Sequence, residues 1–195
     1  HMLVCDYKNG KWSEAEILPY GPIAMAPGAQ VLHYGQSVFE GMKAFKNNAD
    51  EILLFRKDEN FKRLNQSAER LSIPAIDEET FMNGLDELLA LDNSWCKKEE
   101  GYSLYIRPFI FASSECVKAS ASEEYTFIII TSPTINYYAG EMNVVIEEHY
   151  TRAPQGGVGY AKAAGNYAAS FYPTCLLFTS PSPRDRTRSR MPFSA

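Results

Sequence analysis

The chain has 195 residues, of which 45% are hydrophobic and 22% charged, with 12 Tyr, 11 Phe and 2 Trp. That balance supports a packed core and excludes disordered, collagen-like and coiled-coil chains. The net charge is −5, and four arginines against one aspartate are concentrated in residues 176–195, so the rest is acidic and a poor surface for nucleic acid.

The apolar run Phe127-Ile128-Ile129-Ile130 is far too short to span a membrane, and no basic start followed by an apolar stretch marks a signal peptide. Cys5, Cys96, Cys116 and Cys175 are widely scattered with no C-x-x-C pair. They predict neither a zinc site nor a disulfide framework, and they suit a reduced cytoplasmic setting.

The first 35 residues read as short strands and turns. Asn9-Gly10 is a tight-turn dipeptide, and Pro19, Pro22 and Pro27 interrupt the segment after it. Residues 37–45 read as one strand, Asn47 to Asp50 as a turn, and Ile52 to Phe55 as the returning strand of a hairpin. Over 58–72 the period changes. Phe61, Leu64, Ala68 and Leu71 share one helical face, with Asp58 as the expected cap and Pro74 as the stop. A second amphipathic helix is predicted over 78–92, capped by Asp77, with Phe81, Leu85, Leu88 and Leu89 as its stripe. Strands are predicted over 103–112, 125–132 and 143–150. This order predicts a mixed α+β domain. Residues 176–195 are rich in Ser, Pro and Arg, match neither period, and are expected to be disordered.

One stretch carries a chemical signal. Lys162 stands alone among Gly and Ala over residues 156–170. Small neighbours admit a flat ligand close to the backbone, and a lysine in a dry pocket is a natural Schiff-base nucleophile. Composition alone favours the plainer reading, a flexible loop with a solvated lysine. A phosphate-loop motif is excluded, because Ala161 and Ala163 replace its Gly and Ser/Thr, and Lys162 stands where a dinucleotide motif needs its third glycine. In the strand 103–112 both faces are otherwise apolar, so Arg107 is expected to be buried. A buried arginine without an anion costs roughly 3–5 kcal/mol. Its partner is either a structural Glu or a substrate carboxylate. Phe39 beside Gly41 makes a notch on one strand face, or else core packing around a bulge. His33-Tyr34 reads as a hydrogen-bonded pair or a pocket rim. Arg56 at a strand end is by default a surface arginine.

Four motifs, in order, resemble one family. They are Leu32-His33-Tyr34-Gly35-Gln36-Ser37-Val38-Phe39-Glu40-Gly41-Met42-Lys43-Ala44-Phe45, then Leu53-Leu54-Phe55-Arg56, then Tyr105-Ile106-Arg107-Pro108, and lastly Lys162 through Ser170. Together they resemble the branched-chain amino acid aminotransferases, fold-type IV enzymes that use pyridoxal 5′-phosphate (PLP). The resemblance implies a small N-terminal α/β domain over residues 1–132, an interdomain linker over 133–142, and the first strands of an incomplete large domain over 143–175. It implies that Lys162 binds PLP covalently and moves the substrate proton. It further implies that Arg56 contacts the cofactor phosphate and that Tyr167 bonds its phenolic oxygen. Tyr34, Phe39, Gly41, Tyr105, Arg107 and the linker residue Tyr137 would line the substrate pocket, with Arg107 reaching the side-chain carboxylate of glutamate or 2-oxoglutarate.

The implied partners are small amino acids and 2-oxo acids, with no metal, no nucleic acid and no membrane. The complete protein is expected to be a homodimer or larger. Ala164 stands where many members have Gly. The family continues well beyond the lysine, so this chain is expected to be an inactive fragment whose non-native tail begins between Tyr172 and Leu176. Other fold-type IV activities (D-amino acid aminotransferase, aminodeoxychorismate lyase) suit the Tyr105–Pro108 and Phe39–Gly41 motifs less well. A non-catalytic module with an arginine-rich nucleic-acid-binding tail is disfavoured by the acidic body.

Overall fold

Alternating apolar residues fold the first third of the chain and its middle onto one antiparallel sheet. The computed structural model describes residues 1–135 and 146–179. In chain order the elements are β1 (Met2–Lys8), β2 (Lys11–Trp12), β3 (Glu16–Leu18), α1 (Gln30–Tyr34), β4 (Ser37–Phe39), β5 (Met42–Lys46) and β6 (Ile52–Leu54), followed by α2 (Lys57–Arg70), α3 (Glu78–Leu91), β7 (Ser103–Ala112), β8 (Tyr125–Thr134), α4 (Ala164–Ala168) and α5 (Phe171–Thr179). The sheet order is β2-β1-β8-β7-β5-β6, with β3 also on β1 and β4 also on β7. The mixed α+β reading holds.

The centre of the sheet is the ten-residue pairing of β7 with β8, from Ser103 opposite Thr134 to Ala112 opposite Tyr125. One sheet face presents Leu3, Cys5, Ala44, Leu104, Ile106, Ile110, Phe127 and Ile129 to the two long helices. These answer with Leu64 and Ala68 from α2 and with Phe81, Leu85 and Leu88 from α3. Each such side chain contributes about 1.5–3 kcal/mol by leaving water. The Phe81 ring packs on Phe61 at 5.4 Å and on Phe127 at 6.1 Å. Gly84 lets α3 approach β1, since a Cβ there would run into Leu3 Cδ1. The other sheet face buries a smaller group, Met2, Phe111 and Ile128, beside Phe109 and Ile130.

Several boundaries differ from those predicted. Asp77 does cap α3, accepting from the Thr80 N–H at 2.7 Å. Asp58 does not cap α2. The cap position is Arg56, in the left-handed region at φ 52°, and Asp58 lies inside the first turn, where its charge favours the helix N-terminus. Residues 30–34 form a short helix rather than a strand or turn. The strand expected over 37–45 breaks at Glu40-Gly41. Both halves pair with β7, Phe39 opposite Phe109 and Met42 opposite Ile106, so the break faces Arg107 and Pro108. Proline fits there because it has no N–H to leave unpaired, and its carbonyl accepts from the Glu40 N–H at 2.7 Å.

At the C-terminal side, β8 continues to Thr134, past the start of the expected linker. Residues 146–150 are not a strand, and 143–145 lie outside the described residues. Residues 176–179 belong to α5, which accommodates Pro173 in its first turn. The rest of the arginine-rich tail, 180–195, lies outside the described residues. Among the described residues no helix is long and apolar enough to cross a membrane.

Candidate functional site

The break between β4 and β5 organises the site. On the outer side of β5 runs β6. The corresponding edge of β4 is taken by the lysine segment, with Ala163 bridged to Val38 and the Phe39 N–H donating to the Lys162 carbonyl at 3.1 Å. On the other side of the lysine, its N–H donates to Ser67 Oγ on α2 at 2.9 Å. Buried Asn166 in α4 donates to the carbonyls of Val158 and Ala161 at 2.9 and 2.8 Å. It thereby folds the preceding loop back against the short helix.

The side chains then converge. Lys162 Nζ donates to Tyr167 Oη at 2.8 Å and lies 4.5 Å from the centroid of the Phe39 ring. Phe39 and Tyr167 are in ring contact at 4.9 Å. On Phe39 rests a second cation, the Arg107 guanidinium, also 4.5 Å from the ring centroid. Arg107 Nη2 donates to Tyr105 Oη at 2.8 Å. The Tyr105 hydroxyl occupies the space a side chain at Gly41 would need. Of the two readings of Phe39 and Gly41, the geometry fits packing at a break in the strand, with Tyr105 lying against Gly41. Arg152 adds a third cation, 5.9 Å from the Tyr167 ring.

Arg107 is half-buried rather than buried, and of the two partners considered for it, no structural Glu meets it among the described residues. Among the described residues no carboxylate pairs with Lys162, Arg107 or Arg152. Arg107 Nε is buried with no hydrogen-bond partner among them. A buried cationic donor is best satisfied by an anionic acceptor.

The nearby carboxylate serves another residue. Glu40, fully buried at the strand break, accepts from Arg63 Nε at 2.5 Å and Nη2 at 2.8 Å, from Asn60 at 2.8 Å and from the Gly41 N–H at 3.1 Å. The bond to Glu40 pushes the pKa of Arg63 up, with burial opposing and the Tyr167 phenol adding a smaller pull. Arg63 thus lies within electrostatic reach of the lysine's partner.

Of the residues named from the sequence, Lys162, Tyr167, Phe39, Gly41, Tyr105 and Arg107 are brought together. Arg56 is not. Its side chain is 63% exposed and meets Glu59 at 3.7 Å, at the start of α2. Arg63 stands two turns further along α2, about 10 Å in rise, where it is bound to Glu40 and feels the Tyr167 phenol electrostatically. Tyr34 also stands apart, 44% exposed, at a shallow depression lined by Leu71, Ser72, Val158, Ala163 and Gly165. The His33 ring bonds the Pro27 carbonyl at 2.9 Å. Tyr137 lies outside the described residues. Sequence reading missed Ser67, Arg63, Glu40 and Asn166. The one available signal was a Glu between Phe39 and Gly41, a charge inside a strand pattern with no solvent face to occupy.

Comparison with known proteins identifies the family and the fold. Residues 37–174 match the family model described as amino-transferase class IV. Over 175 residues the chain is 47% identical to "Branched-chain-amino-acid transaminase 1" of Bacillus subtilis (strain 168), covering 87% of this chain and 49% of that protein. It is 50% identical to the "Probable branched-chain-amino-acid aminotransferase" of Staphylococcus aureus (strain N315), with the same coverage. The chain spans about half the length of the curated relatives it matches. The solved branched-chain amino acid aminotransferase from Escherichia coli superposes with a TM-score of 0.54 at 25% identity, covering 93% of this chain and 55% of that one. The branched-chain aminotransferase of the thermophilic archaeon Thermoproteus uzoniensis, solved with norvaline, shares the fold with a TM-score of 0.61 at 21% identity, covering 86% of this chain and 54% of that one. A further branched-chain amino acid aminotransferase of this fold, with a TM-score of 0.57 at 23% identity, was solved in complex with N-(5′-phosphopyridoxyl)-L-glutamate.

Proposed function

From a chain that belongs to the class IV aminotransferases, we propose that it supplies the lysine-bearing half of a branched-chain amino acid aminotransferase, which moves an amino group between leucine, isoleucine or valine and 2-oxoglutarate. The observation that carries this reading is the pairing of a lysine amine with a phenol, next to an arginine, with no carboxylate on the lysine and no partner on the arginine Nε among the described residues.

These residues fit PLP in two respects. Among the described residues Lys162 Nζ has no carboxylate to hold it, and it projects between two rings, Phe39 and Tyr167. The surrounding positive charge suits a phosphate and a carboxylate. Bound there, PLP would supply an electron sink for the carbanion left when a substrate loses its Cα proton. Lys162 would hold the cofactor and carry that proton as the amine. Tyr167, accepting from Lys162, would fix the direction of the amine. Arg63 takes the phosphate role that the resemblance gives to Arg56. Its Nε and Nη2 are occupied by Glu40, which leaves Nη1 for an anion. Phe39 and Tyr105 would wall an apolar branched side chain, and Arg107 at their edge would take a side-chain carboxylate. One pocket can then accept both substrates. Tyr34 and Tyr137 remain candidates for completing it from elsewhere in a larger assembly. In this reading the segment up to the 133–142 linker is the small domain, and the whole enzyme is a cytoplasmic homodimer or larger.

The test is covalent trapping. The chain is incubated with PLP, reduced with borohydride and mapped by mass spectrometry. A pyridoxyl group is expected on Lys162 and absent in Lys162→Arg. Adducts spread over surface lysines, with none on Lys162, would refute the assignment.

A further inference from the structure

The lysine follows a stretch of chain that lies largely at the surface. Residues 151–156 are exposed throughout, and Tyr160 is 64% exposed. Against that background both polar groups of the lysine's own backbone are held by distant elements. Its carbonyl accepts from Phe39 on β4 at 3.1 Å. Its N–H donates to Ser67 Oγ at 2.9 Å, across 95 positions of chain. Ser67 is only 1% exposed, and its hydroxyl donates in turn to the Arg63 carbonyl at 2.8 Å. Ala161 and Ala163, each 3% exposed, flank the lysine and are small enough to let its backbone lie against α2 and β4.

We propose that Ser67 is a positioning residue for Lys162. The hydroxyl is used twice, as acceptor from the lysine N–H and as donor to the helix carbonyl one turn back. Those two bonds fix the point from which the lysine side chain departs. A four-carbon side chain magnifies any rotation at its base, so a loose Cα would carry Nζ away from Tyr167 and the Phe39 ring. Among the described residues no other side chain bonds the lysine N–H, and Ser67 is too deeply buried for bulk water to take its place. Alanine at 67 would leave a buried donor unpaired, whereas threonine would keep the oxygen. The functional weight of the tether rests on Lys162 being the residue that holds PLP, but the tether itself does not.

The test compares the 195-residue chain with its Ser67→Ala and Ser67→Thr variants by two measurements. The first is residue-resolved amide hydrogen exchange at Lys162, with the amides of Ile110 in β7 and Ile129 in β8, which bond toward β4 and β1, as the reference for global opening. The second is the rate at which PLP, trapped by borohydride, labels Lys162. In Ser67→Ala the Lys162 amide should exchange roughly tenfold faster or more while the reference amides hold. Labelling of Lys162 should slow severalfold, and Ser67→Thr should restore both. Unchanged exchange at Lys162 in Ser67→Ala would overturn the proposal. So would an equal rise at Ile110 and Ile129, which would make Ser67 a residue of the fold alone, or a threonine variant that behaves as alanine does. If the unmutated chain takes no label on Lys162, the functional reading fails, and the exchange data still decide whether the tether exists.

Discussion

Removing the Glu40 carboxylate should cost far more than removing a surface acid, and the structure allows the loss to be worked out. Glu40 is fully buried and accepts four hydrogen bonds, two from Arg63 and one each from Asn60 and the Gly41 N–H. Breaking a buried ion pair by deleting one partner costs about 3–5 kcal/mol when the other charge is left dry. Arg63 is not left dry, because its side chain is 52% exposed and water can take over its donors. What remains is the stranding of the Asn60 amide and the Gly41 N–H, about 1–3 kcal/mol for each group fully orphaned. The expected loss for Glu40→Ala is therefore about 3 kcal/mol. For Glu40→Gln, which keeps the shape and one acceptor oxygen, it is about 2 kcal/mol. Urea unfolding can be followed by the fluorescence of Trp12, whose indole donates to the Ala75 carbonyl at 2.8 Å and so reports a tertiary contact. With a slope of about 2 kcal/mol/M, the alanine midpoint should fall by about 1.5 M. A fall below about 0.5 M would place the pair among exposed salt bridges and refute the view that Glu40 holds the strand break together.

Three further substitutions test the fold around the site. Burial pushes the Asp77 carboxyl up, but its bonds from the Thr80 N–H and hydroxyl win, so its pKa lies below the ordinary value. A depressed carboxyl adds stability above its unfolded pKa of about 3.9, and that stability is lost as pH falls through the folded value. Asp77→Asn, which keeps a capping oxygen, should therefore match the unmutated chain near pH 7 and lose less stability as the pH falls below about 4 in acid unfolding. Phe81→Ala opens a cavity among Phe61, Phe127 and the sheet. It should cost about 3–5 kcal/mol by urea unfolding. Gly84→Ala gains about 1 kcal/mol of helix propensity but pushes its Cβ into Leu3 Cδ1. Overpacking of about 1–3 kcal/mol should make it a net loss, and a rise in Tm would show that Leu3 has room to move.

Much of the fold was legible because it is written in local periods. The stripe Phe81, Leu85, Leu88, Leu89 and the Asp77 cap define α3 without any knowledge of what it packs on. The hairpin of β5 and β6 follows from turn residues between two apolar runs. The break at Glu40-Gly41 was not legible, because alternation continues across it. What ends the pairing is Pro108, on a strand about seventy positions away. The same reason hid Arg63. From the sequence both Arg56 and Arg63 are arginines at the N-terminal half of a helix. Only the tertiary placement of Glu40 shows that Arg63 is tied to the strand break while Arg56 meets Glu59 at the surface.

The electrostatics depend on where Glu40 commits its two oxygens. A buried carboxylate one residue from Phe39 would ordinarily quench a nearby lysine, and an aminotransferase cannot use a lysine locked in an ion pair. Here both oxygens are taken by Arg63, Asn60 and the backbone, so the carboxylate neutralises α2 and leaves Lys162 and Arg107 unmatched around one aromatic ring. A cation on a ring face gains about 0.5–1 kcal/mol at an exposed site. That is enough to hold the amine and the guanidinium in place and too little to compete with a phosphate or a carboxylate. On the proposed reading the ring is therefore a resting place from which an anionic ligand would draw both cations, and Arg107 Nε, buried without a hydrogen-bond partner among the described residues, would be a donor for it.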